Sequence, residues 1–229
     1  MPAENHLIEL LSRADRARLL RLVEPVTLTL SEVLGEAQQP VRHVYFPVDA
    51  FISMLTPIEG HPGLEVGMVG REGMVGAQLA LGVTKSPLRA LVQGAGSAWR
   101  MDAAPFCAEL ALNSGLQRVL HRYLYVRMAQ LAGASACLRY HLIAPRLARW
   151  LLMSQDRAHR AQFHVTHEFL AYMLGVRRVG VTMAAGSLQR AGLIAYHRGE
   201  LTVVDRSGLE TMACGCYAAD RQAYAGLLG

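Results

Sequence analysis

The chain has 229 residues, 52% of them hydrophobic and 18% charged, with a formal net charge of +5, which is enough apolar material for two cores of ordinary domain size. No charge-free apolar run approaches the roughly 18 residues of a membrane span. The opening stretch MPAENHLIELLSRADRARLL carries acidic residues and helical period in place of a secretory pattern. With only four cysteines, a soluble cytoplasmic protein without a disulfide framework is expected.

In chain order, Leu7 to Leu22 reads as a short amphipathic helix. Short β-rich runs follow at Val26 to Leu30, His43 to Phe46, Phe51 to Leu55, Leu64 to Val69 and Leu88 to Val92, with Pro47, Pro57, Gly60, Pro62-Gly63 and Gly70 as turn residues. Such spacing predicts an antiparallel sandwich or barrel, whose interior can hold a small ligand. Gly67, Gly70, Gly73 and Gly76 recur every three residues and are read as allowing tight strand turns, since a nucleotide-binding loop of the GxxxxGK[ST] type is absent. GxSxG and HExxH are absent too, so an enzyme is not expected.

From about Pro105 to Tyr140 no interior proline occurs, and Leu116, Val119/Leu120, Tyr123/Leu124, Val126, Met128, Leu131 and Leu138 sustain an apolar stripe. A helix this long has more apolar surface than one small domain covers, which predicts that it both packs on its own N-terminal domain and self-associates along its length.

Thr166 to Ala191 (THEFLAYMLGVRRVGVTMAAGSLQRA) spells a helix, a glycine turn and a second, basic helix. Thr166 is placed to cap the first helix, and Phe169, Leu170, Met173 and Leu174 give it an apolar face. Gly175 marks the turn. Val181, Ala184, Leu188 and Ala191 recur at three- and four-residue steps and would anchor the second helix. Its free face carries Arg177, Arg178, Val179, Thr182, Met183 and Gly186, then Gln189 and Arg190, with no acidic residue between Glu168 and Glu200. Arg178, Val179 and Met183 are the candidate base readers, Arg178 through two hydrogen bonds to guanine and the other two by apolar contact with a thymine methyl. Arg177, Thr182 and Arg190 suit phosphates. Leu193 to Tyr196 and Leu201 to Val204 read as two strands around a glycine turn, making a winged helix with Arg198 and His197 at the wing tip.

Charge agrees with this reading. Residues 1–138 hold 12 Lys+Arg and 12 Asp+Glu, whereas residues 139–229 hold 11 against 6, so the whole +5 lies in the C-terminal part. That is the electrostatic footprint of a domain that sits on a polyanion.

The segments HVYFPVDAFISML (43–55), VGREGMVGAQLALG (69–82), RLARWLLMSQDR (146–157) and VTHEFLAYMLGVRRVGVTMAAGSLQRAGLI (165–194) together resemble the bacterial cyclic-AMP receptor protein / fumarate-nitrate reduction regulator (Crp/Fnr) family over nearly the entire chain. The resemblance implies an α+β chain with a cyclic-nucleotide-binding-like β jelly roll at 1–104, a long dimerisation helix at 105–140 and a winged helix-turn-helix domain at 141–229. The implied function is that of a homodimeric transcriptional regulator. Its partner would be double-stranded DNA bearing a palindromic operator. RNA polymerase and a small-molecule effector are the further partners such a protein can have, and no membrane is involved.

Departures from the family narrow the signal. Members that bind cyclic nucleotides use a glutamate on the ribose and an Arg-Ser pair on the cyclic phosphate. Here Ala77 stands near the glutamate's place, with Leu88 and Arg89 near those of the pair, so cyclic-nucleotide binding is not expected. The oxygen-sensing branch holds an iron-sulfur cluster largely on N-terminal cysteines, yet Cys107, Cys137, Cys214 and Cys216 are all that occur, so no cluster is expected. Cys214-Gly215-Cys216 lacks the second pair of a zinc finger and reads as ordinary thiols, with a redox role as the lesser alternative. His43, His61 and Glu65 in the jelly-roll half are the only pointers to a metal-dependent enzyme fused to a winged helix, and His121 reads as a dimer-interface polar residue. No metal or cofactor is expected. A ligand-independent architectural DNA binder is the alternative within the DNA-binding class.

Overall fold

The structure is a computed structural model that describes residues 4–229. Where the sequence predicts one helix from Leu7 to Leu22, there are two, α1 (His6–Glu9) and α2 (Arg13–Leu20). Ser12 divides them. Its hydroxyl accepts a hydrogen bond from the Asp15 amide at 3.1 Å, so a capping residue starts a new helix in the midst of an unbroken apolar pattern.

Seven antiparallel strands then form two packed sheets. They are β1 (Glu24–Leu28), β2 (Val33–Gly35), β3 (His43–Pro47), β4 (Phe51–Ile58), β5 (His61–Val69), β6 (Arg89–Gly94) and β7 (Gly96–Asp102), in the orders β1-β7-β3 and β2-β6-β4-β5. Leu28, Ile52, Met54, Val69, Ala90, Val92 and Ala98 fill the space between the sheets, as expected of a sandwich. Strand β2 went unpredicted because it is three residues long and lies at the sheet's edge beside a register shift.

Of the four evenly spaced glycines, only Gly76 takes a left-handed backbone, with φ of 93°. Gly70 and Gly73 bound the turn that follows β5, the Gly73 amide donating to the Gly70 carbonyl at 3.0 Å, and with Gly67 they also allow close approach. A Cβ on Gly67 would meet the Arg127 guanidinium, one on Gly70 the Arg157 side chain, and one on Gly73 would lie 2.3 Å from the Tyr123 hydroxyl.

The single helix predicted from Pro105 is also two, α3 (Ala103–Leu112) and α4 (Ser114–Tyr140). Asn113 breaks it. This buried residue leaves helical geometry (φ −118°, ψ 90°), and its Oδ1 accepts from the Leu116 amide at 2.9 Å while its Nδ2 donates to Glu109 at 2.9 Å. At 27 residues, α4 is a rod of about 40 Å. From the predicted stripe, Leu116, Leu120, Tyr123 and Val126 are buried against Phe46, Met74 and Phe106 of the same chain. Met128 and Leu138 are exposed. What α4 leaves open is an offset row, Arg118, His121, Tyr125, Met128, Ala132 and Ser135.

The C-terminal part comprises α5 (Ile143–Ala158), β8 (Gln162–His164), α6 (His167–Leu174), α7 (Arg178–Arg190), β9 (Ile194–His197), β10 (Glu200–Val203), α8 (Arg206–Met212) and α9 (Cys216–Leu228). Its core joins Leu151, Leu170, Val181, Leu188 and Leu201 to Phe51, Leu55 and Met68 of the sandwich, so the two halves share one apolar cluster. Helix α9 folds back along α4. Leu228 enters the cluster of Leu116 and Leu120, Tyr224 donates to the Glu72 carbonyl at 2.7 Å, and Asp220 pairs with Arg149 at 2.6 Å.

Candidate nucleic-acid interface

Helix α6 starts at Thr166, whose hydroxyl accepts from the Phe169 amide at 3.1 Å, and buries Leu170, Ala171, Met173 and Leu174. It ends at Gly175, in left-handed geometry with φ of 62°. Only glycine suits that position, since a Cβ would also stand 2.5 Å from Leu64 Cδ1. Helix α7 follows after two residues. Val181, Ala184, Ala185 and Leu188 are buried beneath it. Ala191, expected as an anchor, instead ends the helix exposed, and Ala185 takes its place in the core.

The outer face of α7 carries Val179 at 63% and Met183 at 70% exposure, large values for apolar side chains with nothing over them. Arg177, Arg178, Thr182 and Arg190 are exposed on the same helix or at its start. None of Arg177, Arg178, Arg190 and Arg198 is within ion-pair distance of a carboxylate among the described residues. Arg177 occupies the N-cap position without a side-chain cap, so the first amides of α7 are open to an anionic oxygen. Thr182 is less free than its exposure suggests. Its hydroxyl bonds to the Arg178 carbonyl at 3.1 Å and meets His167 Nδ1 at 3.0 Å. His167 in turn stacks on Tyr196, with ring centroids 4.5 Å apart, bracing α6 against the wing. Burial, then the charge of Arg178, lowers the pKa of that imidazole.

The wing has three strands in the order β8-β10-β9. Its hairpin turns on Arg198 (φ 49°) and Gly199 (φ 87°), the two positive angles of a type I′ turn. Arg198 is thus exposed at the tip in a conformation uncommon for a side chain of its size. The extra strand β8 escaped sequence reading because three residues are too few to show a period.

Residues 145–212 match the family model of the Crp-like helix-turn-helix domain. Solved structures similar to the chain include FixK2 from Bradyrhizobium japonicum, at 13% identity and TM-score 0.70 over 84% of this chain and 98% of that one. TTHA1359, a transcriptional regulator of the CRP/FNR family from Thermus thermophilus, gives 20% identity and TM-score 0.68 over 83% and 98%. The c-di-GMP responsive global regulator CLP of Xanthomonas campestris gives 14% and 0.67 over 84% and 99%. No curated protein matches in sequence. The chain has a Crp/Fnr-type fold carrying a Crp-like helix-turn-helix domain.

Within that Crp/Fnr-type fold, a cavity of about 420 Å³ opens in the jelly roll beside Met54, Val75, Gln78, Ser86 and Leu88. The residues at and beside the cyclic-nucleotide positions are placed as follows. Ala77 is buried at the head of a short 3-10 turn (Ala77–Leu81). Ser86 closes its own turn, accepting from the Leu88 amide at 3.1 Å and donating to the Leu88 carbonyl at 2.9 Å. Arg89 opens β6 and pairs with Glu36 at 3.4 Å.

The jelly-roll residues weighed as metal ligands do not gather. His43 pairs with Asp102 at 3.2 Å, and His61 is exposed in the β4–β5 hairpin. Glu65 accepts from Ser53 at 2.5 Å and Trp150 at 3.0 Å, and burial pushes its carboxyl up to about 7 against those two bonds. A different donor group does assemble. Cys137, His141, Cys214 and Cys216 bring their ligand atoms within 4.8 Å of one another. The Cys-x-Cys is legible in the sequence, whereas its companions come from the last turn of α4 and the residue that caps it, where the spacing Cys137-x3-His141 is the local signal. No sequence reading reached α9 or the ion pairs it makes.

Proposed function

We propose that this protein is a homodimeric, sequence-specific transcriptional regulator that binds a palindromic operator in double-stranded DNA, and that it is not an enzyme. The observation that carries the reading is the outer face of α7, where Arg178, Val179 and Met183 stand exposed and unpaired beneath no other element. Arg178 reads a guanine edge and the two apolar residues read thymine methyls. Arg177, Arg190 and the wing's Arg198 hold phosphates on either side. Thr182 joins them only if its hydroxyl gives up the Arg178 carbonyl.

So small a set of base contacts needs doubling, and helix-turn-helix dimers, the cyclic-AMP receptor protein among them, place two such helices one DNA turn apart, about 34 Å. The exposed row on α4 supplies a twofold seam. Arg118, His121, Tyr125, Met128, Ala132 and Ser135 recur at alternating steps of three and four, the spacing of a two-stranded coiled coil. This row, and not the buried Leu116–Val126 face, is the dimer contact. The jelly roll acts as the sensor half at 1–104, with 105–140 and 141–229 as the rod and DNA-binding parts. Its cavity suits an effector other than a cyclic nucleotide, because Ala77 and Leu88 stand near the places of the glutamate and the arginine that such a ligand would need. Contact with RNA polymerase would determine whether transcription rises. A cytoplasmic location follows from a DNA partner.

The test is recovery of bound fragments from genomic DNA followed by footprinting. The expected result is a shared palindrome with half-sites one helical turn apart, protected by a dimer. Uniform coverage without a motif would identify an architectural binder instead. A protein monomeric by sedimentation that prefers no duplex at physiological salt refutes the proposal.

A further inference from the structure

Two sequence segments meet where the long rod hands over to the DNA-binding half. Cys137 lies buried near the end of α4, and His141 is the residue on which that helix stops. Cys214 and Cys216 flank Gly215 between α8 and α9. The sulfurs of Cys137 and Cys214 are 3.5 Å apart, Cys216 Sγ is 3.6 Å from His141 Nδ1, and all four donor atoms fall within 4.8 Å. A tetrahedral zinc ion with Zn–S of about 2.3 Å and Zn–N of about 2.0–2.1 Å keeps its sulfurs roughly 3.8 Å apart and sulfur from nitrogen roughly 3.6 Å. The shortest observed separations already match those edges.

We propose that Cys137, His141, Cys214 and Cys216 form a Cys3His site for one zinc-class divalent ion. Three thiols and an imidazole select a soft or borderline cation over magnesium or calcium. With all four positions filled by protein the site is structural, lacking the open position of a catalytic zinc. A disulfide between Cys137 and Cys214 would use two of the donors and leave the convergence of His141 and Cys216 without a purpose.

The surroundings fit an anionic complex. Three thiolates around a divalent cation leave one net negative charge. Arg149, itself paired with Asp220 at 2.6 Å, lies close enough to act electrostatically on Cys137 and Cys214. The Cys137 and Cys214 thiols share a hydrogen bond, with one proton between the two sulfurs. Metal binding releases the remaining thiol protons to solvent.

The ion would tie the last turn of α4 to the α8–α9 link, across the start of α5, where the Cys214 amide donates to the Pro145 carbonyl at 3.3 Å. Only Leu142 lies between His141 and α5. The metal therefore fixes the angle at which the DNA-binding half leaves the rod, so that its loss changes the pose of α7. That consequence rests on the DNA-binding reading above, whereas metal binding does not.

The experiment uses the full chain, reduced, stripped with chelator and reloaded with Zn²⁺ or Co²⁺. One equivalent per chain is expected by elemental analysis, with the thiolate charge-transfer and tetrahedral d–d absorption of Co²⁺. Cys214→Ser with Cys216→Ser should abolish both. His141→Ala, at an exposed position that leaves the core intact, should weaken Co²⁺ binding by at least about tenfold, since losing a ligand exceeds the 10–100-fold typical of its supporting partners. The proposal is overturned if the reduced protein takes up no stoichiometric Co²⁺, if the variants bind it equally well, or if the isolated chain carries a Cys137–Cys214 disulfide that resists reduction. A chain that binds one Co²⁺ yet no duplex supports the site and counts against the DNA-binding reading alone.

Discussion

The arginines that pair with carboxylates around α5 and those of the helix-turn-helix stand in opposite circumstances. Arg149 meets Asp220, Arg157 meets Glu72 and Arg206 meets Asp156, each at 2.6 Å. Arg149 and Arg157 are largely buried, with side chains 15% and 11% exposed. Arg177, Arg178, Arg190 and Arg198 are exposed and make no such pair among the described residues. A buried guanidinium needs a carboxylate or carbonyl partner, as Arg146 has in the Leu174 carbonyl, because an isolated buried charge is costly. A solvated one neither needs a partner nor adds stability by having one. Within the first group Arg157 ties the C-terminal part to the sandwich and the other two brace helices against α5, whereas the second group is solvated charge with no carboxylate partner among the described residues.

Substitutions should separate the two groups cleanly. The largest effect is expected for Arg157→Ala, which leaves Glu72 without its cation and should cost about 3 kcal/mol of stability, read as a lower urea midpoint. Operator affinity per folded molecule should be affected less than the midpoint. Arg178→Ala should do the reverse, costing roughly 2 kcal/mol of specific binding, or about 30-fold, with relaxed base preference and an unchanged urea midpoint. If specific binding survives, the register of α7 on the groove is wrong.

Glu65 sharpens the comparison from the paired side. It bonds to Trp150 on α5, and burial holds its carboxyl at about 7 against an ordinary 4.5. The folded chain thus keeps a proton that the unfolded chain has released. Its contribution is fully present below about pH 4.5 and is lost as pH rises through about 7. Glu65→Gln should flatten the stability–pH curve across that window, gaining on the order of 1–2 kcal/mol above it, discounted because the residue also borders an open cleft. A parallel curve for the variant would show that the carboxyl is ordinary. Smallest is Arg190→Ala, expected to weaken all duplexes alike by under about 1 kcal/mol and to reduce the salt slope by about one.

Much of the helix-turn-helix was legible because its determinants are local. Thr166 caps, Gly175 turns, and the three- and four-residue steps of Val181, Ala184 and Leu188 are visible within 26 residues. Where local signals compete, the reading slipped. Ser12 and Asn113 each split a continuous apolar pattern, because a cap that satisfies free amides outweighs the pattern's continuity. The stripe on α4 was visible as a stripe, and its packing on the sandwich was expected, but which of its residues the sandwich takes was not. The sandwich takes Leu116, Leu120, Tyr123 and Val126, leaving Tyr125 and Met128 outward.

From sequence alone came the class of architecture, the basic C-terminal half, the helix pair with its outward Arg178, Val179 and Met183, and the mismatch at Ala77 and Leu88 with a cyclic-nucleotide pocket. Tertiary structure alone decided which face of α4 is free, that Gly67, Gly70 and Gly73 admit side chains from the helices, and that Cys137 and His141 lie beside Cys214 and Cys216. The reason is range. Period and capping act within a turn or two of chain, whereas the meeting of residues 75 positions apart depends on how whole elements pack, and no spacing along the chain records it.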